Sequence, residues 1–386
     1  MIVFFGENFL AAVGCRCEVR KGNEMTVLVV GQRLGDRERS VREALERASV
    51  EVVFIPSIQL FREALETYPT RCVLADSPLD VRDIARVLRG NASCFSVPLI
   101  ALAEHISDRV MLELHAIGAD DVVAIHDLGG LTRRMAALAS FDPKARTALF
   151  QGSCLLAHAD VHRRQLFGRV LRQAGFDVSF AATMQEALSV AERSPPKVLV
   201  VSNTLPPEGG RKALAKLAEH WVGEMPAVLL ASGSNSGSLS PHGWIVVHEE
   251  APPDDLLFVV NELLRPRELL ESRASRRILH ATLISFRAAG ELESRLGLTY
   301  NISREGMYVR TFDAPPSKGQ AWLELRPPGA SRACHLRGDI MWTRTLATGA
   351  RGAAPPGFGV RLSADLCPPH DSAHYIQQYD RMLHLL

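Results

Sequence analysis

Two arginines four positions apart, Arg273 and Arg277, precede the run Asn301-Ile-Ser303-Arg-Glu-Gly306, and together these are the residues best suited to chemistry in the chain. A guanidinium is planar and presents paired N–H donors, so it can grip a phosphate or a base edge with two hydrogen bonds, or stack on a base face. Asn301 and Ser303 would add an amide and a hydroxyl to such a site. The same arginines, with Arg276, could instead solvate an interdomain linker. Asp76, at the end of a short apolar run, is a second candidate, and a lone aspartate there can equally be a turn or helix-capping residue. His370 and His374 lie at i, i+4, a spacing that suits zinc, but no third ligand accompanies them, so they are read as solvent-facing. His158 and His162 straddle a strand–helix junction and are assigned no metal. No Gly-rich phosphate loop, serine-nucleophile elbow or paired-cysteine metal motif occurs. The chain is read as a binding protein, not an enzyme, without cofactor or metal.

The 386 residues hold 44 Lys+Arg against 43 Asp+Glu, and 47% are hydrophobic. That length suggests two or three domains with separate cores. The near-neutral balance argues against a nucleic-acid polymer or a polybasic membrane contact as partner. No apolar run reaches the roughly 18 residues needed to cross a bilayer, so membrane insertion is not expected. The seven cysteines are scattered and odd in number, which favours a reducing cytoplasm over a disulfide framework. Residues 1–24 lack a basic n-region, and Glu7 and Asn8 interrupt their apolar stretch. They are read as a disordered extension, with Met25 opening the first strand.

From Met25 onward, strand-like and helix-like segments alternate. Thr26–Val30, Val50–Ile55, Cys72–Ala75, Pro98–Leu102 and Val122–Ile125 are short and apolar, as strands buried on both faces of a parallel sheet should be. Val41–Ala48 and Ile58–Leu65 carry helical spacing. The series recurs at Cys154–Ala157, Phe176–Phe180, Val198–Val201, Ala227–Ala231 and Trp244–Val247, with helices near 161–174, 184–193 and 254–264. Asp76 and Ser202 are 126 positions apart and Pro98 and Pro226 are 128 apart. A near-constant offset implies a duplicated, doubly wound α/β domain spanning 25–140 and 152–265.

Both copies resemble response-regulator receiver domains, through Gly118-Ala-Asp-Asp121 in the first and Ala174-Gly-Phe-Asp-Val178, Glu186-Ala-Leu188 and Leu205-Pro206…Gly210 in the second. The resemblance implies an aspartate nucleophile after the third strand, an acidic pair holding Mg²⁺ after the first, and a Thr/Ser and a Lys that stabilise the phosphoryl oxygens. Asp76 keeps the nucleophile position, and is the possible phosphoacceptor. Gly31 and Gln32 stand where the acids belong, Ala103 near the hydroxyl and Ile125 near the lysine. In the second copy Ser202 takes the nucleophile position, and His158 and Ala159 precede a single acid, Asp160. Both copies are therefore read as pseudo-receivers that serve protein interaction or self-association.

After Arg265-Pro266-Arg267 the pattern changes. Ile278–Phe286 reads as a strand, and Met307–Thr311, Ala321–Leu325, Leu336–Thr343 and Gly359–Leu362 follow, separated by proline-rich turns. Strands at this spacing, without helices between them, form an antiparallel sheet or small barrel. His370–Leu386 reads as a terminal amphipathic helix with Tyr375, Ile376, Tyr379, Met382 and Leu383 on its apolar side. Over 271–386 the chain resembles a PilZ domain, the bacterial cyclic di-GMP receptor. Arg273-x-x-x-Arg277, Asn301-x-Ser303-x-x-Gly306, Gly338-Asp-Ile-Met-Trp342 and Gly357-Phe-Gly359-Val360 occur in the family's order. The resemblance implies that Arg273 and Arg277 clamp the ligand's guanines or phosphates, that Asn301 and Ser303 face a guanine edge, and that Gly306 supplies a backbone conformation a Cβ would resist. Trp342 and Val360 are expected in the core.

The sequence thus points to a cytoplasmic signalling effector: two receiver-like (flavodoxin-like) doubly wound domains, then a PilZ β-barrel with a C-terminal helix that senses cyclic di-GMP. Phosphorylation at Asp76, or a scaffold whose barrel binds no nucleotide, are the alternatives.

Overall fold

The computed structural model describes residues 26–31, 37–76, 78–139, 141, 150–219, 226–233, 244–266, 273–327, 330, 332–346 and 354–384. The extension expected at 1–24, and Gln32, lie outside them. The first domain alternates β1 (Thr26–Val30), α1 (Arg37–Arg47), β2 (Glu51–Ile55), α2 (Ile58–Thr67), β3 (Thr70–Ala75), α3 (Pro78–Gly90), β4 (Leu99–Ala103), α4 (Asp108–Ala116), β5 (Asp121–Ala124) and α5 (Leu128–Leu138). Its strands lie in the order β2-β1-β3-β4-β5, all parallel. The β-branched run of β1 is buried at every position, because helices cover both sheet faces. The second domain repeats the plan with β6 (Gly152–Ala157), α6 (Val161–Gln173), β7 (Phe176–Ala181), α7 (Met184–Arg193), β8 (Val198–Ser202), α8 (Gly210–Glu219), β9 (Ala227–Ala231), β10 (Ile245–His248) and α9 (Pro253–Leu263). Its order, β10-β9-β8-β6-β7, is the same 2-1-3-4-5 arrangement read from the other edge.

The third domain comprises β11 (Ile278–Leu279), β12 (Leu283–Ala288), β13 (Arg295–Ser303), β14 (Gly306–Arg310), β15 (Gln320–Leu325), β16 (Cys334–Arg344), β17 (Gly357–Leu362) and the terminal helix α10 (Pro369–Leu383). Six of these strands close an antiparallel barrel, since β13 pairs with both β12 and β14 and β17 joins β14 to β16. Ile284, Phe286, Leu323, Leu336, Phe358 and Val360 fill it, and Tyr375 and Tyr379 of α10 plug one side.

Two sequence expectations need correction here. Ile278–Phe286 is not one strand: the pairing with β13 slips by one residue between Leu279 and Leu283, and Thr299 Oγ1 fills the gap by accepting from Thr282 N at 2.9 Å. The longer omission is β13 itself. Its alternating Leu296, Leu298, Tyr300 and Ile302 follow the strand period, yet residues between them are buried as well, because β13 also faces the α/β domains.

Residues 119–121 bind the three domains together. The Asp120 carboxylate accepts from Arg89 Nη2 at 2.9 Å and Leu99 N at 2.7 Å within its own domain, and pairs with Arg169 of α6. Arg310 of β14 donates to the Asp120 carbonyl at 3.2 Å and pairs with Asp254 of α9 at 2.9 Å. Asp121 Oδ2 accepts from Phe312 N at 2.9 Å and Arg134 Nε at 2.8 Å. Arg133 then forks onto Asp313 at 3.0 and 2.9 Å. Burial alone would raise the Asp120 carboxyl, but Arg169 and Arg89 hold it below its usual range. Phe312 and Leu298 complete the seam by entering the apolar layers of the first domain.

Two predictions follow from this burial. Asp120→Asn leaves two guanidinium groups without their shared carboxylate, and should cost about 3–5 kcal/mol in denaturant unfolding. Second, His115 and His280 are only 1% and 9% exposed, and burial, reinforced at His115 by Arg310, lowers them to about 3 and about 4. Their depressed values mean that the unfolded chain takes up protons first, near pH 6.5. Stability is therefore complete above that pH and falls toward pH 4 by about 1.4 kcal/mol per group per pH unit. Melting temperatures between pH 8 and 5 should drop in the wild type and drop less steeply in a His115→Asn/His280→Asn variant, in which His162, lowered to about 4 by burial, still contributes.

Candidate functional site

The residues singled out in the carboxy-terminal domain come together on one side of the barrel. Arg273, Arg277, Asn301, Ser303 and Gly306 line a groove of about 370 Å³ whose opposite wall is Met341, Trp342, Gly359 and Arg361. The register explains the convergence. Ile278 pairs with Ile302 and Leu279 with Asn301, which carries Arg277 to the level of Ser303. Ser303 in turn pairs with Gly306 across the two-residue turn at Arg304 and Glu305, and its hydroxyl donates to the Gly306 carbonyl at 3.3 Å. Asn301 is 7% exposed, and its side-chain amide makes no hydrogen bond among the described residues.

The glycine requirement at 306 differs from the expected one. Its φ is not positive; a Cβ there would instead stand 2.2 Å from the Val360 carbonyl oxygen. Close approach of β17, and not a special backbone conformation, excludes a side chain. Trp342 also departs from expectation. Strict alternation along β16 would turn it inward with Leu336 and Ile340, but a register shift between Ile340 and Trp342 rotates it outward. It is 37% exposed at the groove and stacks on Tyr308, with centroids 4.8 Å apart and planes 17° apart. Val360 lies in the core as expected, at 4% exposure.

The arm carrying the two arginines is held by the terminal helix, a role the sequence reading gave only to packing. Tyr379 donates to the Arg276 carbonyl at 2.6 Å, and Tyr375 donates to the carbonyls of Ser303 at 2.8 Å and Gly306 at 3.2 Å. Burial raises the Tyr375 phenol far above its ordinary value, so it stays a donor. Ser275 ties the arm to the hairpin by donating to Glu305 and accepting from Arg304 N. Arg273 forks onto Glu262 of α9, at 2.7 Å to Oε2 and 3.2 Å to Oε1. Arg277 makes no ion pair among the described residues; desolvation and the neighbouring Arg273 lower its pKa, while Glu262 opposes the shift.

The α/β domains present a different picture where phosphotransfer residues would stand. Asp76 follows β3, and its side chain lies over Gly31 so closely that a Cβ there would sit 2.4 Å from its own. Ala103 ends β4, and Ile125, 6% exposed, follows β5; neither can stabilise a phosphoryl oxygen. In the second domain Ser202 is fully buried and donates to Glu249 Oε1 at 3.2 Å. His158 meets the same oxygen at 2.6 Å, and Ser232 donates to Oε2 at 3.4 Å. Because His158 Nδ1 accepts from Asp160 N at 2.9 Å, its Nε2 carries the proton given to Glu249. That hydrogen bond, with burial opposing it, lowers the Glu249 carboxyl. Asp160 caps α6, accepting from Arg163 N at 2.9 Å. The sequence reading missed Glu249, whose position one residue past β10 was the available signal. A carboxylate there repels an incoming phosphoryl group.

Glu249→Gln should cost about 1–3 kcal/mol in urea unfolding, since it sets an amide where three donors need a carboxylate. Acetyl phosphate treatment followed by intact-mass measurement should add no adduct to the wild type. A labile adduct lost in Asp76→Asn would reverse the reading of the first domain.

No protein-family model matches the chain, and no curated protein matches it. Among solved structures it is similar to a putative two-component system response regulator/GGDEF domain protein, at 15% identity and TM-score 0.29, covering 64% of this chain and 100% of that one. It is similar also to the PilZ domain of CeSA from a cellulose-synthesising bacterium, at 15% identity and TM-score 0.21, covering 28% and 100%. A third similarity is to the Bacillus subtilis inhibitor of motility, at 18% identity and TM-score 0.24, covering 31% of this chain and 57% of that one.

Proposed function

We propose that this protein is a non-enzymatic, cytoplasmic signalling effector whose barrel binds cyclic di-GMP, while its two receiver-like domains serve as interaction modules. One observation carries the reading: Arg273, Arg277, Asn301, Ser303 and Gly306, dispersed over the sequence, line a single groove. The ligand carries two phosphates and two guanines. Arg277, which makes no ion pair among the described residues, would engage a phosphate or the O6/N7 edge of a guanine, and Arg273 would take the second such group. Asn301 offers both an acceptor and donors to a guanine edge from a nearly dry position, where each hydrogen bond counts for more. Trp342, outside the expected set, adds an exposed ring at the mouth on which a base could stack.

The α/β domains fit an adaptor role. In one copy Asp76 stands beside Ala103 and Ile125 where a hydroxyl and a lysine would serve phosphotransfer, and the other holds a Ser202–Glu249–His158 cluster. No helix among the described residues is long and apolar enough to cross a membrane.

Calorimetric titration of the full chain with cyclic di-GMP tests the reading. Arg277→Ala and Arg273→Ala should each weaken binding by about one to two decades, ~1–3 kcal/mol. Equal affinity of the wild type and the Arg273/Arg277 double variant would remove the site assignment.

A further inference from the structure

We infer that Glu262 of α9 is an internal competitor for the groove: its carboxylate occupies the Arg273 fork in the ligand-free protein, and the ligand binds by displacing it. This rests on the reading of the groove as a cyclic di-GMP site. The Arg273–Glu262 contact is bidentate, at 2.7 and 3.2 Å, and Arg273 is only 17% exposed. A carboxylate and a phosphate present the same pair of oxygens to a guanidinium, so one can replace the other without moving the fork's donors apart. Charge makes the exchange feasible. Arg265 already touches Glu262 Oε1 at 3.2 Å, so a displaced Glu262 keeps a cationic partner and is not stranded.

The placement of Glu262 decides how far the exchange travels. The other end of α9 is pinned to the barrel: Tyr300 donates to the Asp254 carbonyl at 2.7 Å, and Arg310 pairs with Asp254 at 2.9 Å. Eight residues of helix, about 12 Å, separate that anchor from Glu262. Ligand capture therefore frees the arm from the end of the second α/β domain while the seam between the domains stays closed. The coupling is reciprocal, so anything that holds Glu262 away from the arm raises ligand affinity by the same factor.

Calorimetric titration of the full chain with cyclic di-GMP, on a set of variants whose melting is checked first, tests the competition. Glu262→Gln should bind about 10-fold tighter than the wild type, because the competent arm is no longer held. Arg265→Gln, which keeps the latch but removes the displaced carboxylate's partner, should bind a few-fold weaker. Arg273→Ala should cost more in the Glu262→Gln background than in the wild type, where it removes latch and ligand contact together. If the wild type binds but Glu262→Gln binds equally or more weakly, the competitor role is wrong and the groove assignment stands. If neither the wild type nor Glu262→Gln binds, the groove assignment itself fails.

Discussion

The arrangement of the three domains depends on one buried carboxylate. Asp120 sits between Arg89 and Arg169, and its own backbone carbonyl receives Arg310 from the barrel. Charges removed from water are tolerated only when paired and hydrogen-bonded on every side. Here each domain supplies part of the pairing, so none of the three can leave without stranding a charge in the others. The same junction fixes α9 through Asp254, and α9 presents Glu262 to the arm of the groove. The geometry of the candidate site is therefore inherited from a seam well removed from it.

That seam is built from residues that carried a different expectation. Gly118-Ala-Asp-Asp121 carries the resemblance to receiver domains, yet both of its aspartates also make interdomain contacts, Asp120 with Arg169 and Asp121 with Phe312 N. The second domain shows a parallel change. A buried hydroxyl, an imidazole and a glutamate occupy the positions where an acid, a metal-holding pair and a lysine would serve phosphotransfer. The result is a self-satisfied polar cluster with no surplus positive charge, closed by its own hydrogen bonds. Both α/β domains use acidic and basic residues for attachment, Asp120 and Asp121 in the first and Arg169 and Asp254 in the second.

Much of the architecture was legible because it follows from periodicity. The short apolar runs from Thr26 to Val247 could be strands buried on both faces only if helices covered them, and the repeated offset implied a second copy. The groove-lining residues were legible because their types and order follow a known pattern. What escaped was whatever depended on a partner far along the chain. β13 was overlooked because burial against the other domains adds nothing to its own alternation. Trp342 was placed inside because a single-residue bulge, invisible in composition, reverses the face of everything beyond it. Glu249 had only its place one residue past β10 to mark it, and Glu262 had no local mark at all.

The sequence by itself determined which segments become strands and helices, how many domains they form, and which polar residues are available for a ligand. Those properties arise from local conformational preference and the spacing of apolar side chains, which neighbouring residues set. Only the tertiary structure decided who neutralises whom: Asp120 joining three domains, Glu249 closing the second receiver-like site, and Glu262 holding Arg273. Ionic pairing depends on distances of a few ångströms between groups up to 180 residues apart, and no local pattern encodes such a distance.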